Sequence, residues 1–269
     1  MNKDTIERAI GYIEQWLSEK YEREDVPGFV AAVSYQGDIL MNEAYGYADL
    51  ENKVQMEPGH VFRVASHSKT FTATAIMLLV EDGRLRLDDV VIDYIPWLEE
   101  HDDKRWQHVT IRQLLSHGAG VIRDGVDAEY WNLERAFPDA DRFVQEMMKT
   151  SLILDNNIKM KYSNYGYTLL GMVIENITGK SYDAFVMERI IHPLGLKQTF
   201  PDYNPGRNQP AEKDLVTGYT RHERKKRLPI ESVNTHSMAA ATGFCSTTED
   251  LCTYLSAHMI GSGKLLNDE

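Results

Sequence analysis

The sequence predicts an α+β protein in which an antiparallel sheet flanked by helices carries an inserted all-helical lobe. Three observations carry this. Two β-like apolar runs, residues 29–35 and 39–47, flank the turn Gln36-Gly37-Asp38 and read as a hairpin. From about residue 68 to 200 the apolar residues recur mostly at helical spacing. Beyond residue 212, strand-like and helical patterns return in mixed order. The implied division is one lobe from residues 1–67 and 213–269, a mainly helical lobe from residues 68–212, and a cleft between them.

Each element has a local reason. Ile6, Ile10, Ile13 and Leu17 form the stripe of a first helix, which Pro27-Gly28 ends. Residues 49–59 read as a polar loop, and Val61 to Val64 as a short strand. Phe71, Ala75, Leu78 and Leu79 mark the buried face of a helix over 69–82 that Gly83 stops. Thr110 is placed to cap a helix over 111–116, and Asp139 or Asp141 one running through Met148. An apolar helix over 165–177 is stopped by Gly179. Ser181 caps the next, which runs to His192 and meets Pro193. Residues 215–219 look like a strand, and Ser246-Thr247-Thr248-Glu249 reads as a capping box opening a helix to about Ile260.

Composition excludes several classes. With 269 residues and 42% hydrophobic content, the chain is long enough for one large domain or two intimate lobes. A net charge of −12 argues against nucleic acid or an anionic membrane as partner. No segment approaches the ~18 uninterrupted apolar residues of a membrane span. The first 21 residues are interspersed with charges and have no apolar core of a leader. Cys245 and Cys252 lack CxxC spacing and read as two reduced thiols of a cytoplasmic protein. No histidine pair has metal-ligand spacing, and Gly179-Lys180-Ser181 lacks the glycine a phosphate loop needs, since position 174 is Ile174. No metal or cofactor is expected. The basic run 221–227 reads as an exposed turn between strands.

Chemistry is concentrated in two places. In Ser66-His67-Ser68-Lys69, a serine at a helix mouth stands three residues before a lysine, on one helical face. That is the spacing at which a lysine amine can take a proton from a serine nucleophile. The same four residues also fit a helix-capping serine followed by a solvated lysine. Tyr162-Ser163-Asn164 lies just before the apolar helix, where a phenol can shuttle protons and an amide can orient a carbonyl or an amine. Taken alone, that tripeptide fits a half-buried tyrosine and a cap asparagine better. His67 fits a pocket-lining or a structural role equally, and the His117-Gly118-Ala119-Gly120 loop reads as architecture.

Together these stretches resemble the serine beta-lactamase and penicillin-binding-protein superfamily, in its class C-like branch of esterases, D,D-peptidases and D-aminopeptidases. Residues 62–69 are similar to its first motif, and Tyr162-Ser163-Asn164 to its Tyr-x-Asn motif. Residues 109–117, 191–196 and 241–251 resemble supporting stretches in the same order. The resemblance implies a beta-lactamase/transpeptidase-like fold and an acyl-enzyme on Ser66, with Lys69 as the base or part of it. Tyr162 would relay protons, and Asn164 would hold the substrate amide or Lys69. The implied substrate is a small ester, an amide or a D-amino-acid peptide. One departure stands out: the family's third motif, Lys-Thr-Gly or His-x-Gly, does not occur after Tyr162, so its C-terminal strands are expected to be missing from these residues. A catalytically inactive relative or a truncated fragment, binding a peptide or partner in the old cleft, is the alternative that departure raises. Substrate choice is expected to rest on loops 120–133 and 201–214.

Overall fold

The computed structural model describes residues 3–204, 214–221 and 226–267, with side chains from residue 5 onward. Helix α1 (Lys3–Arg23) lies along β2 (Asp38–Asp49), which pairs antiparallel with β1 (Gly28–Tyr35). Tyr21 reaches from α1 onto Phe29 and Tyr45, which stack on each other with centroids 4.8 Å apart. The 49–59 loop contains a short strand, β3 (Val54–Gln55), because the chain turns back far enough to pair with Tyr47 and Asp49. The sheet order is β1-β2-β3, and α8 (Thr248–Ser256) packs beside β1.

Strand β4 (Phe62–Arg63) pairs antiparallel with β7 (Cys245–Ser246) and leads through a single 3₁₀ turn, Ala65–His67, into α2 (Ser68–Glu81). All four stripe residues of α2 are buried, and Phe71 is sandwiched between Phe244 and Tyr254 at centroid distances of 4.3 and 3.9 Å. Gly83, at φ +66, ends the helix in the left-handed conformation that glycine adopts without cost.

Residues 83–139 are less helical than the pattern implies. They contain 3₁₀ turns and the five-residue α3 (Ile111–Leu115), whose N-terminus is closed by the reciprocal Thr110/Gln113 capping box. Pro96, Gly118, Gly120, Gly125 and Pro138 interrupt any longer run. Helix α4 (Ala140–Met148) takes Asp139 as its cap; α5 (Asn164–Thr178) is capped by Ser163 and closed by Gly179.

Four further expectations are corrected. The helix after Ser181 does not stop before Pro193: α6 (Tyr182–Val186) passes through a π-turn, Met187–Ile191, into α7 (His192–Leu194), and Gly195 ends it. Proline is tolerated because it sits in the first turn of α7, where its missing N–H is not needed. The cap of α8 is Thr247, not Ser246; Thr247 Oγ1 accepts from Asp250 N, while Ser246 belongs to β7 and its hydroxyl meets Thr199 Oγ1. That helix ends at Ser256 rather than Ile260. Of residues 215–219 only β5 (Gly218–Tyr219) is a strand, paired with β6 (Pro229–Ile230). The centre of the basic run and of the 201–214 loop lies outside the described residues. Both cysteines are free, Cys245 in β7 and Cys252 in α8. No described helix is long and apolar enough to cross a membrane.

Candidate active site

The turn that carries Ser66 is fixed from behind. Val64 N donates to Phe244 O, Ser68 Oγ donates to Ala65 O, and the same Oγ accepts from Phe244 N at 3.0 Å. Ala65, immediately before Ser66, sits at φ +45, a conformation that costs an alanine about 1–3 kcal/mol and is held by those latches. Ser66 itself is exposed at the mouth of α2.

One turn on, Lys69 is buried, 6% exposed. Its Nζ donates to Asn164 Oδ1 at 2.7 Å and to Ala241 O at 2.7 Å. The carbonyl of Ala241 is available because residues Ala239–Gly243 form a π-turn, whose wider winding directs carbonyls away from the regular helical ladder. Ala240 O likewise accepts from Thr72 Oγ1 at 2.6 Å. Burial pulls Lys69 from 10.5 down to about 8; Asp124 opposes the shift and Arg123 adds to it. A neutral amine has two N–H donors, which Asn164 and Ala241 satisfy, leaving its lone pair to receive a proton.

The sequence-derived residues converge, with one rearrangement. Ser66 Oγ is bonded to Tyr162 Oη, 2.7 Å away, rather than to Lys69. Lys69 Nζ lies 4.7 Å from the centre of the Tyr162 ring, and Arg123 packs on the same ring at 5.6 Å. Tyr162 leads into α5, and Asn164 is the first residue of that helix. His117 stacks beside Tyr162 at 4.7 Å, and its Nδ1 accepts from Ser163 N at 3.2 Å. Burial and then the Lys69 charge push His117 down to about 4, so at neutral pH its ring is uncharged with the proton on Nε2. Its place is structural, against the tyrosine.

One side chain of the site carries no sequence motif. Asp124, 9% exposed, accepts from Asn164 Nδ2 at 2.5 Å and is paired with Arg123 Nε at 2.9 Å. This fixes the Asn164 amide with its oxygen toward Lys69. A lone aspartate in a polar loop has no motif. Its one sequence cue is its place in the 120–133 loop, on which substrate choice is expected to rest. Among the described residues no cluster of three or more His, Cys, Asp or Glu side chains is arranged to hold a metal ion.

A family model described as Beta-lactamase matches residues 13–269. Protein flp of Staphylococcus aureus (strain MW2) is 29% identical over 188 residues, covering 70% of this chain and 37% of that protein. The chain thus spans little more than a third of the length of that curated relative. Among solved structures, the octameric penicillin-binding protein homologue from Pyrococcus abyssi superposes with a TM-score of 0.80 at 26% identity, over 92% of this chain and 56% of that one. The class C beta lactamase from Rhodobacter sphaeroides does so with 0.75 at 27%, over 93% and 65%.

Proposed function

The chain belongs to the beta-lactamase family, and from that premise we propose that it is a serine hydrolase that forms an acyl-enzyme on a small ester or amide. The observation that carries this is the 2.7 Å contact of Ser66 Oγ with Tyr162 Oη beside a buried lysine shifted to about 8. In the proposed cycle Ser66 Oγ attacks the substrate carbonyl carbon. The hydroxyl proton passes to Tyr162, whose own proton moves to neutral Lys69. The Ser66 N–H, at the positive end of α2, is one donor to the oxyanion. As the tetrahedral adduct collapses, the proton returns through Tyr162 to the leaving alkoxide or amine. Water then attacks the ester on Ser66, giving its proton to the same relay. The acid departs and Ser66 regains its hydrogen. In this scheme Asn164 holds Lys69 by its oxygen, and Asp124 holds Asn164. The proposed lobes, residues 1–67 with 213–269 and residues 68–212, place Ser66 at their junction and the substrate in the cleft between.

The test is to incubate the chain with a fluorophosphonate, a penicillin and a short-chain p-nitrophenyl ester, following intact mass and product release. A stoichiometric adduct that is lost in Ser66→Ala is expected. No adduct and no turnover would overturn the assignment.

A further inference from the structure

Three large apolar side chains that line one groove keep about two-fifths of their surface in water: Trp131 at 40%, Leu133 at 41% and Ile230 at 39%. A folded chain ordinarily buries such groups against each other, so a shared concave wall of them points to a ligand. The groove encloses ≈ 370 Å³ and is completed by Phe62, Phe137, Val216 and Val233. Its inner end reaches Ala65, the residue before Ser66, and Thr242, the residue after the Ala241 carbonyl that holds Lys69. It therefore ends one residue along the chain from Ser66, which does not itself line it.

The walls are built to stay open. Trp131 stands edge-on to Phe137 at 5.1 Å, and Phe137 packs on the fully buried Tyr130, whose hydroxyl donates to Asp124 O at 2.7 Å. Arg135 closes this turn by pairing with Asp127 at 2.5 Å. On the opposite side Ile230 is held in the β5–β6 ladder across from Gly218, where the absence of a side chain keeps the groove clear. Polar groups inside are already engaged: Arg63 donates to Val233 O at 2.6 Å and lies 3.7 Å from Asp202, and Glu231 is exposed at the rim. An apolar, uncharged group fits this lining better than a carboxylate.

Resting on the serine hydrolase reading, we propose that this groove receives the acyl portion of the substrate, making the site selective for esters or amides of medium-chain or aryl-substituted carboxylic acids over acetyl ones. The acyl side is assigned by the proton path. The leaving group must meet Tyr162, and neither Tyr162, Lys69 nor Asn164 lines the groove. With roughly 30 Å³ for each group the size of a water, the volume accommodates an acyl group of about six to ten carbons.

The experiment measures kcat/KM for p-nitrophenyl esters from acetate to decanoate, alongside quenching of tryptophan fluorescence by octanoate and fluorophosphonate labelling of Ser66. The expected result is a rise of about fourfold per added methylene up to a plateau, as burying one methylene is worth about 0.8 kcal/mol. Octanoate should quench saturably, and not in Trp131→Phe. Ile230→Glu and Gly218→Phe should abolish the rise while leaving acetate turnover within about twofold. A Cβ at position 218 meets only ordinary contact, 3.6 Å from Ile230 Cβ, and Ile230 is partly exposed, so both variants are expected to fold. A flat chain-length series with no saturable quenching, or a slope that both variants retain, would overturn the proposal. Absent labelling with intact octanoate binding would instead overturn the hydrolase reading and leave the groove standing.

Discussion

Replacing Asp124 by asparagine should move the pH limb of the reaction downward. Asp124 and Lys69 are linked across one amide, by bonds of 2.5 and 2.7 Å. Their charges therefore stand roughly 6–7 Å apart, which at an effective dielectric between 20 and 80 is worth about 0.6–2.6 kcal/mol. The anion stabilises the ammonium, so its loss lowers the lysine pKa from about 8. Arg123, released from its partner, acts in the same direction, and His117 stays uncharged throughout this range. A drop of about one unit corresponds to roughly 1.4 kcal/mol, within that window. Catalysis through neutral Lys69 predicts that kcat/KM rises through about 8 in the parent and through about 7 in Asp124→Asn. At pH 7 the neutral fraction then climbs from about one-tenth to about one-half. Asparagine still accepts from Asn164 Nδ2, so the amide keeps its orientation. Asp124→Leu removes the acceptor, strands a buried amide at a cost of about 1–3 kcal/mol, and should reduce kcat/KM tenfold or more. The assay is the pH profile of fluorophosphonate labelling and of ester kcat/KM, which report the free-enzyme base. A limb that stays within about 0.3 units of the parent in Asp124→Asn, or a fully active Asp124→Leu, would refute the coupling.

Three further outcomes follow from the same geometry. Ala65→Gly should relieve the left-handed strain and leave thermal stability unchanged or raised by up to ~1 kcal/mol, while reducing acylation severalfold as the Ser66 turn loosens; melting and labelling rates check both. Gly171→Ala would place a methyl 2.8 Å from Ala240 Cβ, where α5 meets the π-turn, so it should cost about 1–3 kcal/mol and also slow acylation by displacing the adjacent Ala241 carbonyl. An equal acylation rate at saturating folding conditions would show the π-turn to be uninvolved. Asp202 is buried and raised from 3.8 to about 7, chiefly by desolvation and against the pull of Arg63, so its folded pKa lies above its unfolded one. The stability it contributes is full below about pH 4 and is lost as pH rises through about 7. Asp202→Asn should flatten the decline in melting temperature between those limits; an unchanged slope would argue against the buried acid.

The parts of this molecule that were legible in the sequence are those in which a side chain does its own work. The α2 stripe of Phe71, Ala75, Leu78 and Leu79, the caps Thr110, Asp139 and Ser181, and the stops at Gly83 and Gly179 each follow from periodicity or local hydrogen bonding. The convergence of Ser66, Lys69, Tyr162 and Asn164 was legible through motif order. Their bonding pattern was not, because spacing along one helix gives the distance from Ser66 to Lys69 but says nothing of a phenol arriving from 96 residues away.

What stayed hidden has a common physical cause. The Ala241 carbonyl is a backbone group, and every residue has one; its value lies in the π-turn that frees it, which Ala239-Ala240-Ala241-Thr242-Gly243 does not announce. Pro193 misled for a related reason, since a proline is a breaker only where its N–H is required, and the preceding π-turn decides that. Asp124 carries no spacing signal because it acts one step removed, on the amide that holds the amine. The lysine pKa is set by enclosure between α2, α5 and the π-turn, which lowers it, by the Asp124 carboxylate, which partly restores the charge, and by Arg123, which lowers it further. If Asp124 were there to maximise basicity, it would contact Lys69 directly. Set behind Asn164 and shared with Arg123, it only partly offsets the burial that brings the lysine to about 8, the value at which the proposed relay needs an amine that can both take and return a proton.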